Sequence, residues 1–201
     1  AIGDIERAVA LSGGAGEKRS IFRVRKKKKA AVFGSGLFAL LLAGELEKKG
    51  YPVTAICGEA DEEEYLRAAA GFLREDDFYT ELKRLRGKDI AFEFNAEMTR
   101  ELFEEKRGGF DVLCASEKAA LDIFPGAVRD EGIMLMESEG LLTGGGETVL
   151  EAALGARKAA LTADRLAQGI DPRSARGEEG PVTSRLYTNP DLARGLIRIK
   201  G

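Results

Sequence analysis

Apolar residues in this chain fall in short blocks whose period changes along the sequence. Ala30–Phe33 (AAVF) is continuously apolar and predicts a buried strand. Ser35–Lys49 is amphipathic and predicts a helix, with Lys48 and Lys49 in its last turn and Gly50 ending it. Val53–Cys57 predicts a second strand after a short link at Tyr51–Pro52, which completes a βαβ unit with parallel strands. Asp61–Leu73 is acidic and then apolar, and reads as helical. Asp77–Leu85 is a further helix, with Phe78, Leu82 and Leu85 on one face. Ile90–Phe94 alternates as a strand does, and Thr99–Lys106 is a helix capped by Thr99. Phe110–Ala115 predicts a central strand, Ile123–Pro125 a loop, Ile133–Met136 a short strand, and Leu141–Leu142 an extended lead into Gly144–Gly146. The long helix Thr148–Ala167 then carries an alanine-rich face on which Gly155 and Ala156 permit close packing.

The two ends are less regular. Ile2–Leu11 has a helical pattern, with Ile2, Ile5 and Val9 on one side, and Ser12–Gly16 breaks it. So short a helix must pack on the domain or on a partner chain. Beyond Asp171 the pattern fades among Pro172, Gly177, Gly180 and Pro181, and Leu196–Lys200 could form a late edge strand or dock on a partner.

Between the first strand and the first helix stands Gly34-Ser35-Gly36-Leu37-Phe38-Ala39. Gly34 permits the sharp turn, Gly36 lets a phosphate approach the backbone, and Ala39 sits where the helix passes close to the sheet. The helix N-terminus offers free N–H groups and partial positive charge to an anion. The expected fold class is therefore α/β, a three-layer Rossmann-like parallel sheet built on Ala30–Phe33, Val53–Cys57 and Phe110–Ala115.

Composition narrows the chemistry. The 201 residues are 44% apolar, enough for one sizeable core, and the net charge of -3 gives no nucleic-acid signal. Only Arg23–Lys29 (RVRKKKK) is strongly basic; it reads as a solvated lead-in, or as a dock for a phosphate or an acidic partner. With two cysteines, Cys57 and Cys114, no histidine and no Cys-x-x-Cys pair, neither a metal site nor dithiol chemistry is expected. Acid–base work would fall to carboxylates, lysines or tyrosines, with Tyr65, Tyr79 and Tyr187 as candidate donors, but no catalytic set can be assigned. Met134 and Met136 read as core or partner contacts. The longest apolar run, Leu37–Ala43, is far short of a membrane span, and the chain is read as soluble and cytoplasmic.

Four stretches together resemble the flavin-binding domain of the glutamate synthase small subunit and its relatives among two-dinucleotide oxidoreductases. They are Ile2–Ala10, Lys29–Ile56, Phe78–Ala115 and Leu141–Gly169. The resemblance implies residues 1–16 as an N-terminal helix and linker, 17–170 as a FAD/NAD(P)-binding-like domain, and 171–201 as an irregular tail. The nicotinamide domain that the family inserts is missing between Ala115 and Leu141.

The resemblance implies FAD as cofactor. Gly34, Ser35, Gly36, Leu37, Phe38 and Ala39 would surround its pyrophosphate, with Phe38 bulkier than usual beside the turn. The place of the family's ribose-gripping glutamate falls on Cys57, with Glu59 two residues on as a substitute. The glycine pair that normally follows is replaced by Asp61–Tyr65 (DEEEY), whose acids would repel a phosphate if they pointed inward. The family's Ala-Thr-Gly falls on Cys114, Ala115 and Ser116. Its Gly-Asp falls on Gly145 and Gly146, followed by Glu147 and Thr148. The expected function is a flavin-dependent oxidoreductase or electron-transfer component with a redox or structural protein partner, or a homo-oligomer. The alternatives are a cofactor-free structural or regulatory subunit, and a binder of a smaller adenine nucleotide.

Overall fold

The structure, a computed structural model, describes residues 25–126, 135–136, 140–146 and 148–171. The expected N-terminal helix, Met134, Glu147, Tyr187 and the tail from residue 172 lie outside them.

The elements in chain order are β1 (Ala30–Phe33), α1 (Leu37–Lys48), β2 (Val53–Ile56), α2 (Glu62–Ala70), α3 (Glu75–Arg86), β3 (Ile90–Glu93), α4 (Arg100–Arg107), β4 (Val112–Ser116), α5 (Glu117–Ile123), β5 (Leu135–Met136), β6 (Leu141–Gly144) and α6 (Val149–Ala167). They form one sheet in the order β3-β2-β1-β4-β6-β5. Strands β1, β2, β3, β4 and β6 run parallel, and β5 joins as a short antiparallel edge. This is a Rossmann-like α/β arrangement.

Strand β1 explains the layering. All four of its residues are fully buried. Ala30 and Val32 face a cluster with Phe38, Leu42 and Leu46 of α1 and Ala152, Ala156 and Ala163 of α6. Ala31 and Phe33 face Phe103 of α4 and Ala119, Ala120 and Ile123 of α5. Alternation along one strand thus supplies two cores, and each buried Leu or Phe contributes about 1.5–3 kcal/mol. A third cluster joins Tyr65, Leu66, Phe78, Leu82 and Leu85 of α2 and α3 to Cys57.

The structure extends or corrects the expected elements at three places. Ile123 belongs to a helix rather than to the loop expected at Ile123–Pro125: α5 occupies a segment for which the pattern predicts no element, capped by Ser116, whose hydroxyl accepts from the Ala119 amide at 3.4 Å. Seven residues long, α5 has too few turns for a helical period to stand out after the apolar strand. Leu141–Leu142 is part of a full parallel strand, β6, in register with β4 from Leu113↔Leu141 to Ser116↔Gly144. Helix α3 begins at Glu75 rather than Asp77, because three acids complement its N-terminal dipole.

The basic run, over its described part, is not a merely solvated lead-in. The Lys26 ammonium pairs with Asp164 of α6 and lies 4.3 Å from the centre of the Tyr51 ring. Lys28 donates to the Ala167 carbonyl at the end of α6. Arg25 pairs with Asp89 at 3.2 Å. The lead-in is a strap that closes the C-terminal end of α6 against the amino ends of the strands.

Asp164 is the centre of that strap, since the Tyr51 hydroxyl also donates to it at 2.6 Å. Burial alone would raise its pKa, but hydrogen bonds from Lys26, Tyr51 and Gln168 outweigh burial and hold it below the usual carboxylate range. A folded-state pKa below the unfolded value stabilises fully above the ordinary carboxylate pKa, about 3.9, and less as pH falls through the folded value. We expect Asp164→Asn to lose about 1–3 kcal/mol at neutral pH. Urea unfolding from neutral to acid pH should show the gap between variant and wild type closing as pH falls.

Candidate functional site

The chain passes from β1 through α1 to β2 on one side, and places β4 on the other side of β1. That reversal makes a topological switch point, and in open α/β sheets ligands bind in the crevice at the carboxyl ends of the strands there. The turn Gly34–Gly36 leaves β1 at this place.

Gly34 and Gly36 serve different ends. The Gly34 amide donates to the Ile56 carbonyl at 2.8 Å and continues the β1–β2 ladder. Its φ is +90°, and a Cβ there would come within 2.4 Å of Ser116 Oγ and 2.6 Å of Ala119 Cβ. Helix α5 therefore packs directly on the turn, which requires glycine for space as well as conformation. Gly36 has φ +92° and ψ 175°, a region that only glycine enters readily, yet a Cβ there would meet nothing within 4 Å. The turn is held closed on one side and open on the other.

Helix α1 starts at the open side. It has no side-chain cap and no acid in its first turn. Every other helix among the described residues has a capping side chain, an acidic first turn, or both. The amides of Leu37, Phe38 and Ala39 belong to the group that lacks an intrahelical partner in any α-helix. Phe38 does not crowd the turn: its ring is buried and lies 3.5 Å from where a Gly155 Cβ would stand. Ala39 is fully buried against the sheet.

At the end of β2, Cys57 is buried; its amide donates to the Glu93 carbonyl at 2.9 Å and its thiol to the same oxygen at 3.7 Å. Burial first, and then the nearby Glu59 carboxylate, push its thiol up to about 12. Burial pushes Cys114 up to about 12 as well, so neither is a thiolate nucleophile near neutral pH, and both are free. Glu59 Oε2 is buried without a hydrogen-bond partner. The acids of DEEEY are spent on α2 itself and its surroundings. Asp61 caps it, Glu64 accepts from the Ala60 amide at 2.7 Å, Glu63 pairs with Arg67, and Glu62 pairs with Arg86.

The second glycine turn lies beside the first. Gly144 is in register with Ser116, and a Cβ on Gly155 would stand 3.0 Å from the Gly145 carbonyl. It is folded tightly on α6: a Cβ at Gly146 would come within 2.4 Å of the Ala152 nitrogen. Helix α6 also answers its own N-terminus, since Thr148 Oγ1 accepts from the Glu151 amide and Glu151 Oε2 accepts from the Thr148 amide. Tyr65, a candidate donor, is buried in the core, and Tyr79 is on the exposed face of α3.

Among the described residues no group of His, Cys, Asp or Glu side chains is placed to hold a metal ion, and no helix is long and apolar enough to cross a membrane. Sequence reasoning did not find the strained residue at this end of the sheet. Asn95, after β3, has φ +56°, and its amide donates to the Glu59 carbonyl at 2.9 Å. An Asn just beyond an alternating strand was the available signal.

No protein-family model matches the chain, and no curated protein matches it in sequence. One solved structure with a similar region is histamine dehydrogenase from Rhizobium sp. 4-9, at a TM-score of 0.33 and 15% identity. The similarity covers 49% of this chain and 16% of that one. A likeness of that extent carries nothing about activity or cofactor.

The two glycines should separate on substitution. Gly34→Ala adds overpacking against Ser116 and Ala119 to backbone strain, for a loss of about 2–5 kcal/mol. Gly36→Ala adds strain alone, about 1–3 kcal/mol. Denaturant midpoints of the two variants measure the difference directly, and Gly34→Ala should be the lower.

Proposed function

We propose that the chain is a dinucleotide-binding module that carries FAD within an oxidoreductase or electron-transfer assembly, of the kind the glutamate synthase small subunit represents. The observation that carries this reading is the start of α1: an uncapped, acid-free helix N-terminus behind an open glycine at the switch point of the sheet. The adenine-nucleotide half of the cofactor fits the residues here. The backbone amides from Gly36 to Ala39 would bind the pyrophosphate, and the unpartnered Glu59 oxygen would accept from the ribose. The cofactor would supply the hydride or electron chemistry, while this chain binds and orients it. A redox or structural protein partner, or a second copy of the chain, would then complete the path for electrons.

The second turn favours one other reading. Because α6 caps itself and Gly146 is folded against Ala152, the first turn alone could hold a smaller adenine nucleotide such as ADP.

Equilibrium dialysis of the purified chain against FAD and against ADP tests both readings. Binding of either nucleotide should be lost in Gly36→Val with most helix content retained. It should also fall in Ser35→Asp, which places a carboxylate beside the α1 N-terminus and should leave stability equal or raise it by about 0.3–1 kcal/mol. Undiminished binding in both variants would exclude the first turn as the phosphate site. FAD and ADP bound equally well would favour the smaller ligand.

A further inference from the structure

The braced end of the sheet keeps one opening. A cavity of about 380 Å³ lies at the amino ends of β1, β2 and β3, at the opposite end of the strands from the start of α1. It is bounded by the lead-in to β1, the first residues of β2 and β3, and the Gly109–Phe110 approach to β4. Its size is that of a small-molecule site.

Strand alternation explains why the cavity is open. Ala31 is in register with Thr54, and Thr54 with Ala91, so the three share one face of the sheet. Helices α4 and α5 cover that face at Ala31 and Phe33. The cover stops short of β2 and β3: Ala31 is fully buried, Thr54 is half-buried and Ala91 is exposed. Helix α4 has only eight residues, about 12 Å of length, and two glycines follow it. Phe110 then packs half-buried against the Ala31 cluster and makes one wall of the cavity.

The polar groups of the cavity are unequally spent. Lys29 stands two residues before Ala31, so alternation turns its side chain to the same face. Its backbone is pinned: the amide donates to the Asp111 carboxylate at 2.8 Å, and the carbonyl accepts from the Asp111 and Val112 amides. Lys26 and Lys28 hold α6, but the Lys29 ammonium has no ion pair or hydrogen bond among the described residues. The Thr54 hydroxyl has none either. Arg25 and Asp89, both on the lining, neutralise each other at 3.2 Å. One cation and one hydroxyl are therefore left over, beside apolar surface from Pro52, Ala91 and Phe110. A dianion would meet Asp89 with no second free cation to balance it.

We propose that this cavity is a second ligand site, separate from the start of α1, and that it takes a small aromatic monocarboxylate. The ligand carboxylate accepts from the Lys29 ammonium and the Thr54 hydroxyl. Its ring lies against Phe110 and Ala91. The assignment is independent of the nucleotide-binding reading.

Titration of the ¹⁵N-labelled full chain, followed by amide NMR, tests it. The probes are phenylacetate, its neutral amide phenylacetamide, and inorganic phosphate, each in wild type, Lys29→Met and Ala91→Leu. Phenylacetate should give saturable shifts at Lys29, Thr54, Ala91 and Phe110, and bind about 10-fold more tightly than phenylacetamide. Lys29→Met should remove that difference at an unchanged thermal midpoint, since its ammonium has no partner in the fold. Ala91→Leu fills the floor of the cavity and should abolish binding of both. Equal binding of acid and amide in wild type, or a preference for the acid that survives in Lys29→Met, overturns the proposal. Phosphate bound at these amides as tightly as phenylacetate marks a general anion site and overturns it too. Shifts at the Gly36–Ala39 amides in place of these, or no saturable shift with any probe, have the same consequence.

Discussion

Strand β1 has no exposed surface, is paired on both edges, and is covered on both faces. A chain leaving such a strand has little room to turn. It leaves through Gly34, where Ser116 and Ala119 occupy the space that a side chain would need. The next step, Gly36, has glycine conformation without the crowding. The close approach of α5 and the opening before α1 are thus two consequences of the same buried strand. Core packing decides where the turn is; the turn decides where the α1 amides are presented.

Electrostatics makes that presentation specific. Five of the six described helices meet their own N-terminal dipoles with Asp61, Thr99, Ser116, Thr148 or an acidic first turn. Helix α1 does not, and it begins at the switch point. At the other end of the same helices, Lys26 and Lys28 tie α6 down and Tyr51 joins them through Asp164. Positive charge is therefore used structurally at the amino ends of the strands, while the carboxyl ends keep open amides and the unpartnered Glu59 oxygen. The separation of a braced end from a receptive end suits a module that must hold a charged ligand without loosening its core.

Much of this was legible from local pattern. The βαβ unit at Ala30–Ile56 follows from an all-apolar strand, a glycine turn and a helix ended by lysines and glycine. The caps at Thr99 and Thr148 follow from residue type and position. What was not legible depends on contacts between segments distant in sequence. The Lys26–Asp164 pair spans the domain and looks in sequence like surplus charge. Helix α5 hides because Ser116 both ends a strand and caps a helix. The inward fate of Phe38 depends on Gly155, and the pairing of Glu59 with Asn95 on the neighbouring strand end. In the candidate site, residue types could be read from the chain, but whether each was spent on its own helix or left open required the fold.

The central claim is that the start of α1 receives a nucleotide diphosphate. Titration of ¹⁵N-labelled protein with ADP, followed by amide NMR, addresses it residue by residue. The account predicts saturable shifts concentrated at Gly36, Leu37, Phe38 and Ala39, with a second group at Gly58 and Glu59. Saturable shifts confined to Gly145–Thr148, or a titration that leaves the Gly36–Ala39 amides unmoved, would contradict it.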